Sequence, residues 1–300
     1  MTEILIVGTG ALATLFAARL SEAGHSISML GTWQNGLESL RERGARLVGR
    51  DGRERAYPVR ATCDPAEVSG AGLALVLVKA WQTERAASQL ADCLAPGGLA
   101  VTLQNGIGNR EMLASALGAE RVALGATTTG ATLLGPGLAR AGGEGVLSLE
   151  EHPRLGPLPA ALRTAHFNVQ LVQDARALVW GKLVINAAIN PLTALLGVAN
   201  GELLIRPAAR ELMGELATEA AAVAQAEQVR LPFKDPVAAA EKVAEDTAAN
   251  HSSMFQDVRR GAPTEIDAIC GAVAKRGAAH RVRTPVNYAC WKLVHSLAGG

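Results

Sequence analysis

The chain has 300 residues, of which 49% are hydrophobic and 19% charged, and its formal net charge is +1. This composition is typical of a globular enzyme with room for two domains, and it argues against an intrinsically disordered chain. The near-zero charge and the scattered arginines argue against nucleic acid and membranes as partners.

The spacing of the cysteines indicates whether the chain binds a metal, and the N-terminal sequence indicates its cellular compartment. Cys63, Cys93, Cys270 and Cys290 are too dispersed for a C-x-x-C motif, so we predict reduced thiols and no metal site. The chain opens directly on an apolar strand pattern, without the features of a secretory signal. No apolar run approaches the length of a membrane span. We therefore expect a cytoplasmic protein.

Residues 3–30 predict a strand, a glycine turn, a helix and a second strand. Gly8, Gly10 and Ala13 fill the small positions of G-x-G-x-x-G/A, which permit a tight turn, close approach of a pyrophosphate and close helix packing. The alternative is a plain strand-to-helix turn that needs small residues. Because the motif follows a strand and starts a helix, it favours a dinucleotide site. That site comprises Gly8, Thr9, Gly10, Ala11, Leu12 and Ala13.

The end of the second strand bears on the choice of nicotinamide cofactor. An acidic side chain there would bind the ribose 2′-hydroxyl of NAD, but the chain reads Gly31-Thr32-Trp33-Gln34. No arginine is present for a 2′-phosphate either, although Thr32, Gln34 or Asn35 could donate hydrogen bonds. These residues leave the choice between NADPH and NADH open.

Two further buried strands are predicted to end at polar residues, Lys79 and Asn105. Ligands collect at the carboxyl ends of parallel strands, so both residues should lie at the same edge of the sheet as the glycine turn. The alternatives are a solvated strand terminus at Lys79 and a plain turn at Asn105-Gly106. Short apolar pieces between Val122 and Leu149, broken by glycines, predict antiparallel strands.

From about Asp174 onward the apolar spacing is helical. We predict an α/β fold, with an N-terminal Rossmann-type dinucleotide-binding domain over residues 1–173 and an all-helical C-terminal domain over residues 174–300. Pro191 interrupts the first of these helices and predicts a kink beside Asn190.

That helix carries Lys182, Asn186 and Asn190 four residues apart among apolar residues. A step of four residues keeps side chains on one face, so the three polar groups form a narrow stripe. A buried ammonium beside two carboxamides indicates a site, whereas the alternative is the solvated edge of an amphipathic helix.

Two later segments offer polar groups whose simplest explanation is helix capping. Asn250, Ser252 and Ser253 precede an apolar run and suit either a carboxylate ligand or a cap. Thr264 and Asp267 have the spacing of a capping box, which would give Glu265 a structural role in the first helical turn.

In order and spacing, these motifs resemble those of the ketopantoate reductase (2-dehydropantoate 2-reductase) family over essentially the whole chain. The matching motifs are the glycine turn, KAWQ at Lys79–Gln82, QNG at Gln104–Gly106, WGKLVINAAINPLTAL, ANGEL at Ala199–Leu203, NHSSMFQD, and TEID at Thr264–Asp267. The resemblance implies reduction of ketopantoate to pantoate with NADPH, a step toward pantothenate and coenzyme A.

The resemblance also assigns roles to residues. It makes Lys182 the general acid and Glu265 its acidic partner near the substrate, and it assigns Lys79 to the cofactor. Gly31 departs from the family, many of whose members carry there an arginine for the 2′-phosphate, and this leaves NADH as an alternative cofactor. Polar groups around substrate and nicotinamide are implied at Asn105, Asn186, Asn190, Asn200, Asn250 and Ser253.

Two other functions are compatible with the same residues. One is a related reductase of another small 2-keto acid, because the polar stripe recognises the keto acid but not the rest of the substrate. The other is a non-catalytic dinucleotide sensor, against which the presence of both Lys182 and Glu265 argues. A homodimer formed through the helical domain is expected only by analogy between folds.

Overall fold

The structure is a computed structural model that describes residues 1–49 and 51–297. Position 50 of the predicted first domain and positions 298–300 of the predicted second domain lie outside the described residues. The chain divides into two compact units. The first contains Met1–Val78, Gln82–Gln104 and Asn109–Ala175, and the second contains Lys79–Trp81, Asn105–Gly108 and the chain from Arg176 onward.

The first unit is an α/β structure with twelve strands among its described residues. Its helices are α1 (Ala11–Glu22), α2 (Gln34–Arg43), α3 (Thr83–Cys93), α4 (Asn109–Leu117) and α5 (Leu158–Thr164). Its strands are β1 (Glu3–Val7), β2 (Ser26–Leu30), β3 (Ala45–Val48), β4 (Glu54–Tyr57), β5 (Arg60–Thr62), β6 (Ala71–Val76), β7 (Leu94–Thr102), β8 (Val122–Thr127), β9 (Ala131–Gly135), β10 (Leu138–Ala141), β11 (Val146–Glu150) and β12 (Asn168–Val172).

Eight of these strands form the main sheet, in the order β12-β11-β8-β7-β6-β1-β2-β5. Strands β5, β2, β1, β6, β7 and β8 are parallel, whereas β11 runs antiparallel to β8. The other four strands form a small sheet, in the order β4-β3-β10-β9. The antiparallel pairing predicted between Val122 and Leu149 is confirmed for β8 with β11 and for β9 with β10.

Strand β1 shows why the central strands are apolar along their whole length. Ile4 and Ile6 belong to the cluster that includes Phe16 of α1, whereas Leu5 and Val7 belong to the cluster that includes Leu90 of α3. Successive side chains of a strand point to opposite faces, and helices cover both faces of this parallel sheet. An uninterrupted apolar strand is therefore the pattern that this position requires.

The second unit is helical apart from its short loop segments. Its helices are α6 (Arg176–Leu196), α7 (Pro207–Ala226), α8 (Pro236–Asp246), α9 (Ser253–Arg259), α10 (Cys270–Ala279) and α11 (Pro285–Leu297). The predicted fold class, α/β with a helical C-terminal part, is confirmed. Its core joins Val184 and Ala188 of α6 to Met213 and Leu216 of α7 and to Ala240 of α8.

Helix α6 continues through Pro191 instead of ending there. Proline has no amide hydrogen to donate to the carbonyl four residues earlier. That carbonyl belongs to Ala187, and the Cys270 thiol lies within donating distance of it, with Sγ 3.9 Å from the oxygen. The thiol thus supplies a weak donor where the helix lacks its own. The kink expected beside Asn190 stays a prediction.

Helix α6 also corrects one expectation from the sequence. By length and composition, Arg176–Leu196 could cross a membrane, so the prediction that no apolar run approaches that length is wrong. However, 67% of its most apolar window is buried inside the protein. An apolar helix that is largely enclosed by other helices is typical of a protein core.

The glycine turn after β1 gives a prediction on stability. Gly8 has a φ of +129°, and a Cβ atom there would lie 3.1 Å from the backbone of Leu77. We expect Gly8→Ala to lower the free energy of unfolding by about 1–3 kcal/mol because of backbone strain. Gly10→Ser is the control, since Gly10 has an extended conformation as the N-cap of α1 and serine is a good capping residue.

We expect Gly10→Ser to change the unfolding free energy by less than about 0.5 kcal/mol. Urea unfolding followed by circular dichroism measures both values. Equal effects of the two substitutions would contradict this account of the turn.

Candidate functional site

The glycine turn presents a place for a phosphate at the start of α1. The amide of Gly8 donates to the carbonyl of Leu30 at 2.8 Å, which ties the turn to the end of β2. The first amides of a helix have no partner within that helix and attract anions. No acidic side chain lies in the first turn of α1, and a Cβ atom on Gly10 would meet nothing within 4 Å. The turn therefore fits the pyrophosphate of a dinucleotide, with amides from Ala11, Leu12 and Ala13.

The residues that follow β2 lie next to this turn. Thr9 is buried and packs against Gly31. Thr32 follows β2, is exposed, and accepts a hydrogen bond from Nη1 of Arg85 at 3.1 Å. The hydroxyl of Thr32 and the guanidinium of Arg85 thus lie just beyond β2, where the sequence itself has no arginine for a 2′-phosphate.

A second polar cluster lies within the helical unit around Glu265. Glu265 is 5% exposed. Its carboxylate accepts a hydrogen bond from the amide of Ala80 at 3.2 Å and another from Nδ2 of Asn105 at 3.0 Å. Nζ of Lys79 lies 3.6 Å from the same carboxylate. The strand-end residues Lys79 and Asn105 are therefore neither a solvated terminus nor a plain turn.

The capping box expected of this segment is only half formed, because Oγ1 of Thr264 accepts a hydrogen bond from the amide of Ile266 at 3.4 Å but Asp267 does not complete the box. Glu265 precedes the 3₁₀ turn Ile266–Ala268 but makes no capping hydrogen bond with its side chain. Asp267 accepts a hydrogen bond from Nε1 of Trp291 at 2.8 Å instead of closing a capping box with Thr264. The Glu265 carboxylate instead accepts its hydrogen bonds from residues that are far from it in the sequence.

Sequence reasoning missed Asp257, which forms the closest ion pair of this cluster. Its carboxylate is 3% exposed and lies 2.7 Å from Nζ of Lys79 and 2.6 Å from Nη2 of Arg260. Burial lowers the pKa of Lys79, but the carboxylates of Glu265 and Asp257 outweigh it and raise the pKa above its usual value. Asp257 ends the NHSSMFQD motif, and an acidic residue directly after its apolar pair Met254-Phe255 and Gln256 was the available signal.

Lys182 has the opposite electrostatic environment. It is half-buried on α6, and desolvation lowers the pKa of its amine from 10.5 to about 8, while Glu265 acts in the opposite direction. A lysine whose pKa is near the working pH can both hold and release a proton. The two lysines near Glu265 are thereby differentiated, with Lys79 held as a cation and Lys182 able to lose its proton.

The other two residues of the stripe on α6 differ in burial, and neither carboxamide is paired within the described part of the protein. Asn186 is half-buried and Asn190 is 7% exposed. Neither carboxamide hydrogen-bonds to another residue in the described part of the chain. Buried carboxamides normally have partners, so that of Asn190 is a candidate to bind a ligand. The stripe thus passes from partly exposed at Lys182 and Asn186 to buried at Asn190.

The remaining site residues predicted from the sequence differ in their surroundings. Nδ2 of Asn200 donates to Oγ1 of Thr247 at 2.9 Å, while its buried Oδ1 has no partner among the described residues. Asn250 and Ser253 are exposed. Ser252 is the cap that the sequence suggested, because its Oγ accepts from the amide of Phe255 at 3.1 Å.

Family models built from known proteins match the chain in both of its units. Residues 4–154 match the family model described as ketopantoate reductase PanE/ApbA, and residues 174–298 match the model of its C-terminal part. A 2-dehydropantoate 2-reductase of Halobacterium salinarum is 34% identical over 290 residues, which cover 95% of this chain and 95% of that protein.

Solved structures resemble the chain over nearly its whole length. A PanE/ApbA family ketopantoate reductase from Ralstonia eutropha JMP134 has a TM-score of 0.90 at 30% identity and covers 99% of this chain and 98% of its own. A ternary structure of D-mandelate dehydrogenase with NADH and anilino(oxo)acetate has a TM-score of 0.91 at 25% identity, with the same coverage.

The electrostatics of the cluster give a prediction on Lys182. Because the negative charge of Glu265 raises the pKa of Lys182, Glu265→Gln should move that pKa below about 8. Glutamine keeps the shape of the side chain and an oxygen for the amide of Ala80. The pKa is measured by NMR on the protein labelled with ¹³C-lysine, in which Lys182→Arg assigns the signal.

Asp257→Asn is the matched control, because Asp257 pairs with Lys79 and is not among the causes that shift the pKa of Lys182. An unchanged or higher pKa of Lys182 in Glu265→Gln would contradict the proposed coupling.

Proposed function

Given that the chain belongs to the ketopantoate reductase family, we propose that it reduces 2-dehydropantoate to pantoate with NADPH, in pantothenate and coenzyme A biosynthesis, with Lys182 as general acid. 2-Dehydropantoate 2-reductase activity is the function that the family match and the relatives support. The observation that supports the role of Lys182 is its lowered pKa, about 8, beside the buried Glu265.

The proposed chemistry requires one hydride and one proton. A nicotinamide dinucleotide held at the glycine turn would supply a hydride to the ketone carbon. Negative charge then grows on the ketone oxygen, and the ammonium of Lys182 stabilises this charge and donates its proton, which gives the hydroxyl of the product. The amine of Lys182 regains a proton from solvent. Lys79 suits proton donation less well, because Asp257 and Glu265 favour its charged form.

The other polar residues would position the substrate without reacting. The carboxamides of Asn186 and Asn190 can donate to the carboxylate or carbonyl oxygens of a keto acid. Asn105 is held by Glu265 at 3.0 Å, which orients its carboxamide. We assign Asn200, Asn250 and Ser253 to the substrate as well, on the basis of the family resemblance. Glu265 is proposed to contact a substrate hydroxyl, and Lys79 and Asn105 to contact the cofactor.

The cofactor class, a nicotinamide dinucleotide, follows from the family and from the NADH-bound structure that the chain resembles. NADPH is the more specific proposal. Positions 31–35 contain no acidic side chain to repel a 2′-phosphate or to bind the 2′-hydroxyl of NADH. The first turn of α1 also carries no negative charge.

A second candidate function is the reduction of another small 2-keto acid. The similarity to D-mandelate dehydrogenase, with a TM-score of 0.91, favours it, because that protein is named for a different 2-hydroxy acid. The polar groups of α6 would serve either substrate equally well, whereas Glu265 would find a hydroxyl to contact in 2-dehydropantoate but not in phenylglyoxylate. The alternatives therefore differ only in the residues that contact the substrate beyond its keto acid.

We also propose that the protein is cytoplasmic and forms a homodimer. Support for the dimer comes from α11, where Tyr288, Leu293 and Leu297 are each more than half exposed. Sedimentation velocity tests this proposal, and a monomer at micromolar concentration would exclude it.

The decisive assay follows nicotinamide oxidation with 2-dehydropantoate under NADPH and NADH in parallel. We expect turnover with 2-dehydropantoate, and a higher kcat/KM with NADPH than with NADH. A panel of 2-keto acids that includes phenylglyoxylate serves as the control for substrate. A higher kcat/KM with another keto acid would favour the second candidate function, and higher kcat/KM with NADH would exclude the proposed cofactor preference.

Lys182→Ala tests the general acid. We expect kcat to fall by about a hundredfold or more, because proton transfer then depends on solvent. The dissociation constant of the cofactor, measured by fluorescence titration, should change little. Lys234→Ala, at an exposed lysine, is the control and should keep wild-type kcat.

The pH profile gives a second readout of the same proposal. The folded-state pKa of Lys182 is about 8, so the donating ammonium is present below that pH and is lost as the pH rises through it. The kcat of the wild type should therefore fall on the alkaline side of about pH 8. Wild-type kcat in Lys182→Ala, or a flat profile to pH 10, would exclude Lys182 as general acid.

A further inference from the structure

An exposed arginine of the first unit points at the end of β2. Arg85 lies in the first turn of α3, and its Nη1 donates to Oγ1 of Thr32 at 3.1 Å. Thr32 is two residues beyond the last residue of β2. In a dinucleotide-binding fold, the adenosine ribose lies at the end of this second strand. The contact thus places a guanidinium where the 2′ position of the ribose is recognised.

The charge of Arg85 is not neutralised by a carboxylate. Among the described residues, Thr32 is its one hydrogen-bond partner, and it takes part in no ion pair. Other exposed arginines do have acidic partners, for example Arg210, whose Nε lies 2.6 Å from Glu241. Residues 31–35 add no acidic side chain. The guanidinium of Arg85 is therefore a positive charge near the end of β2 that no carboxylate of the described residues pairs with.

Packing disfavours an arginine directly after β2. A Cβ atom at Gly31 would lie 2.7 Å from Cγ2 and 3.2 Å from Oγ1 of Thr9. Real Cβ contacts do not reach 2.7 Å, and Thr9 is itself buried in the glycine turn. An arginine at position 31 would consequently require the Thr9 side chain to shift. The glycine at position 31 therefore does not by itself indicate NADH.

We propose that Arg85 and Thr32 together bind the 2′-phosphate of NADPH and so determine cofactor specificity. The guanidinium presents several N–H donors, which match phosphate oxygens. The Thr32 hydroxyl accepts from Arg85 and still has its own hydrogen to donate to the phosphate. This inference rests on the proposed function, since it assumes that a dinucleotide binds at the glycine turn. It adds a specificity-determining residue for which neither motif nor resemblance provided a signal.

Binding measurements on the full chain test the proposal without turnover. Isothermal titration calorimetry gives the dissociation constants of NADP⁺ and NAD⁺, and competition by 2′-AMP and 5′-AMP isolates the phosphate. For Arg85→Ala we expect NADP⁺ and 2′-AMP to bind about tenfold or more weakly, as the loss of a charge-assisted contact implies. The dissociation constants of NAD⁺ and 5′-AMP should change less than about twofold.

Three further variants sharpen the test. Arg85→Lys keeps the charge but loses the planar donors, so it should retain part of the affinity for NADP⁺. Thr32→Val should weaken NADP⁺ less than Arg85→Ala does. Arg53→Ala removes one exposed positive charge from the turn between β3 and β4 and should change neither dissociation constant. Thermal melting of each variant confirms that the chain is folded.

Each outcome decides for or against the proposal. A selective loss of NADP⁺ affinity in Arg85→Ala supports it. Equal weakening of NADP⁺ and NAD⁺ overturns it, because Arg85 would then contact a part that both cofactors share. No change in either also overturns it but leaves NADPH preference intact, provided that the wild type binds NADP⁺ more tightly. If the wild type does not bind NADP⁺ more tightly than NAD⁺, both the role of Arg85 and the proposed NADPH preference are overturned. Reduction of 2-dehydropantoate with NADH remains compatible with the proposed chemistry in that case.

Discussion

The Glu265 carboxylate is the group on which the polar cluster depends. An isolated carboxylate of this burial would cost several kcal/mol in lost hydration, so it requires partners, and the chain supplies them from distant segments. An amide from Ala80 and a carboxamide from Asn105 come from the short loops that follow β6 and β7, and both loops belong to the helical unit. The negative charge of Glu265 favours the charged form of both Lys79 and Lys182 and so acts to raise the pKa of each, although burial has the larger effect at Lys182. One buried carboxylate thus organises the loops and influences the protonation of the residue proposed to react.

The two lysines show how one charge can have different consequences at two positions. Lys79 has a second carboxylate, Asp257, at 2.7 Å, and the sum of the two attractions exceeds the effect of burial. Lys182 lies on an apolar helix, where desolvation is the larger effect and its pKa falls to about 8. The number of nearby carboxylates therefore determines which lysine is a permanent cation. This arrangement places a lysine that can lose its proton and a fixed positive charge in the same cluster.

Prediction from the sequence was most successful for features that depend on residues close together in the chain. The glycine turn and the fold class depend on patterns a few residues long, and the stripe of Lys182, Asn186 and Asn190 follows from the helical repeat alone. The partners of Glu265 could not be predicted in this way, because Ala80 is 185 residues away and Asn105 is 160 residues away. Local spacing was even misleading at Thr264 and Asp267, where a capping box fitted the pattern but Trp291 binds the aspartate. Arg85 was overlooked because no motif marks an exposed arginine on a helix.

The packing of Thr9 against Gly31 also restricts how this binding site can change by mutation. A Cβ atom at position 31 would come within 2.7 Å of the Thr9 methyl group, so a side chain at position 31 requires that threonine to shift or to be replaced by a smaller residue. The effect of a substitution at position 31 therefore depends on the residue at position 9. We expect the two substitutions to be epistatic, with Gly31→Arg costing less stability when position 9 is already smaller. The order in which the two changes occur then determines how much stability is lost between them.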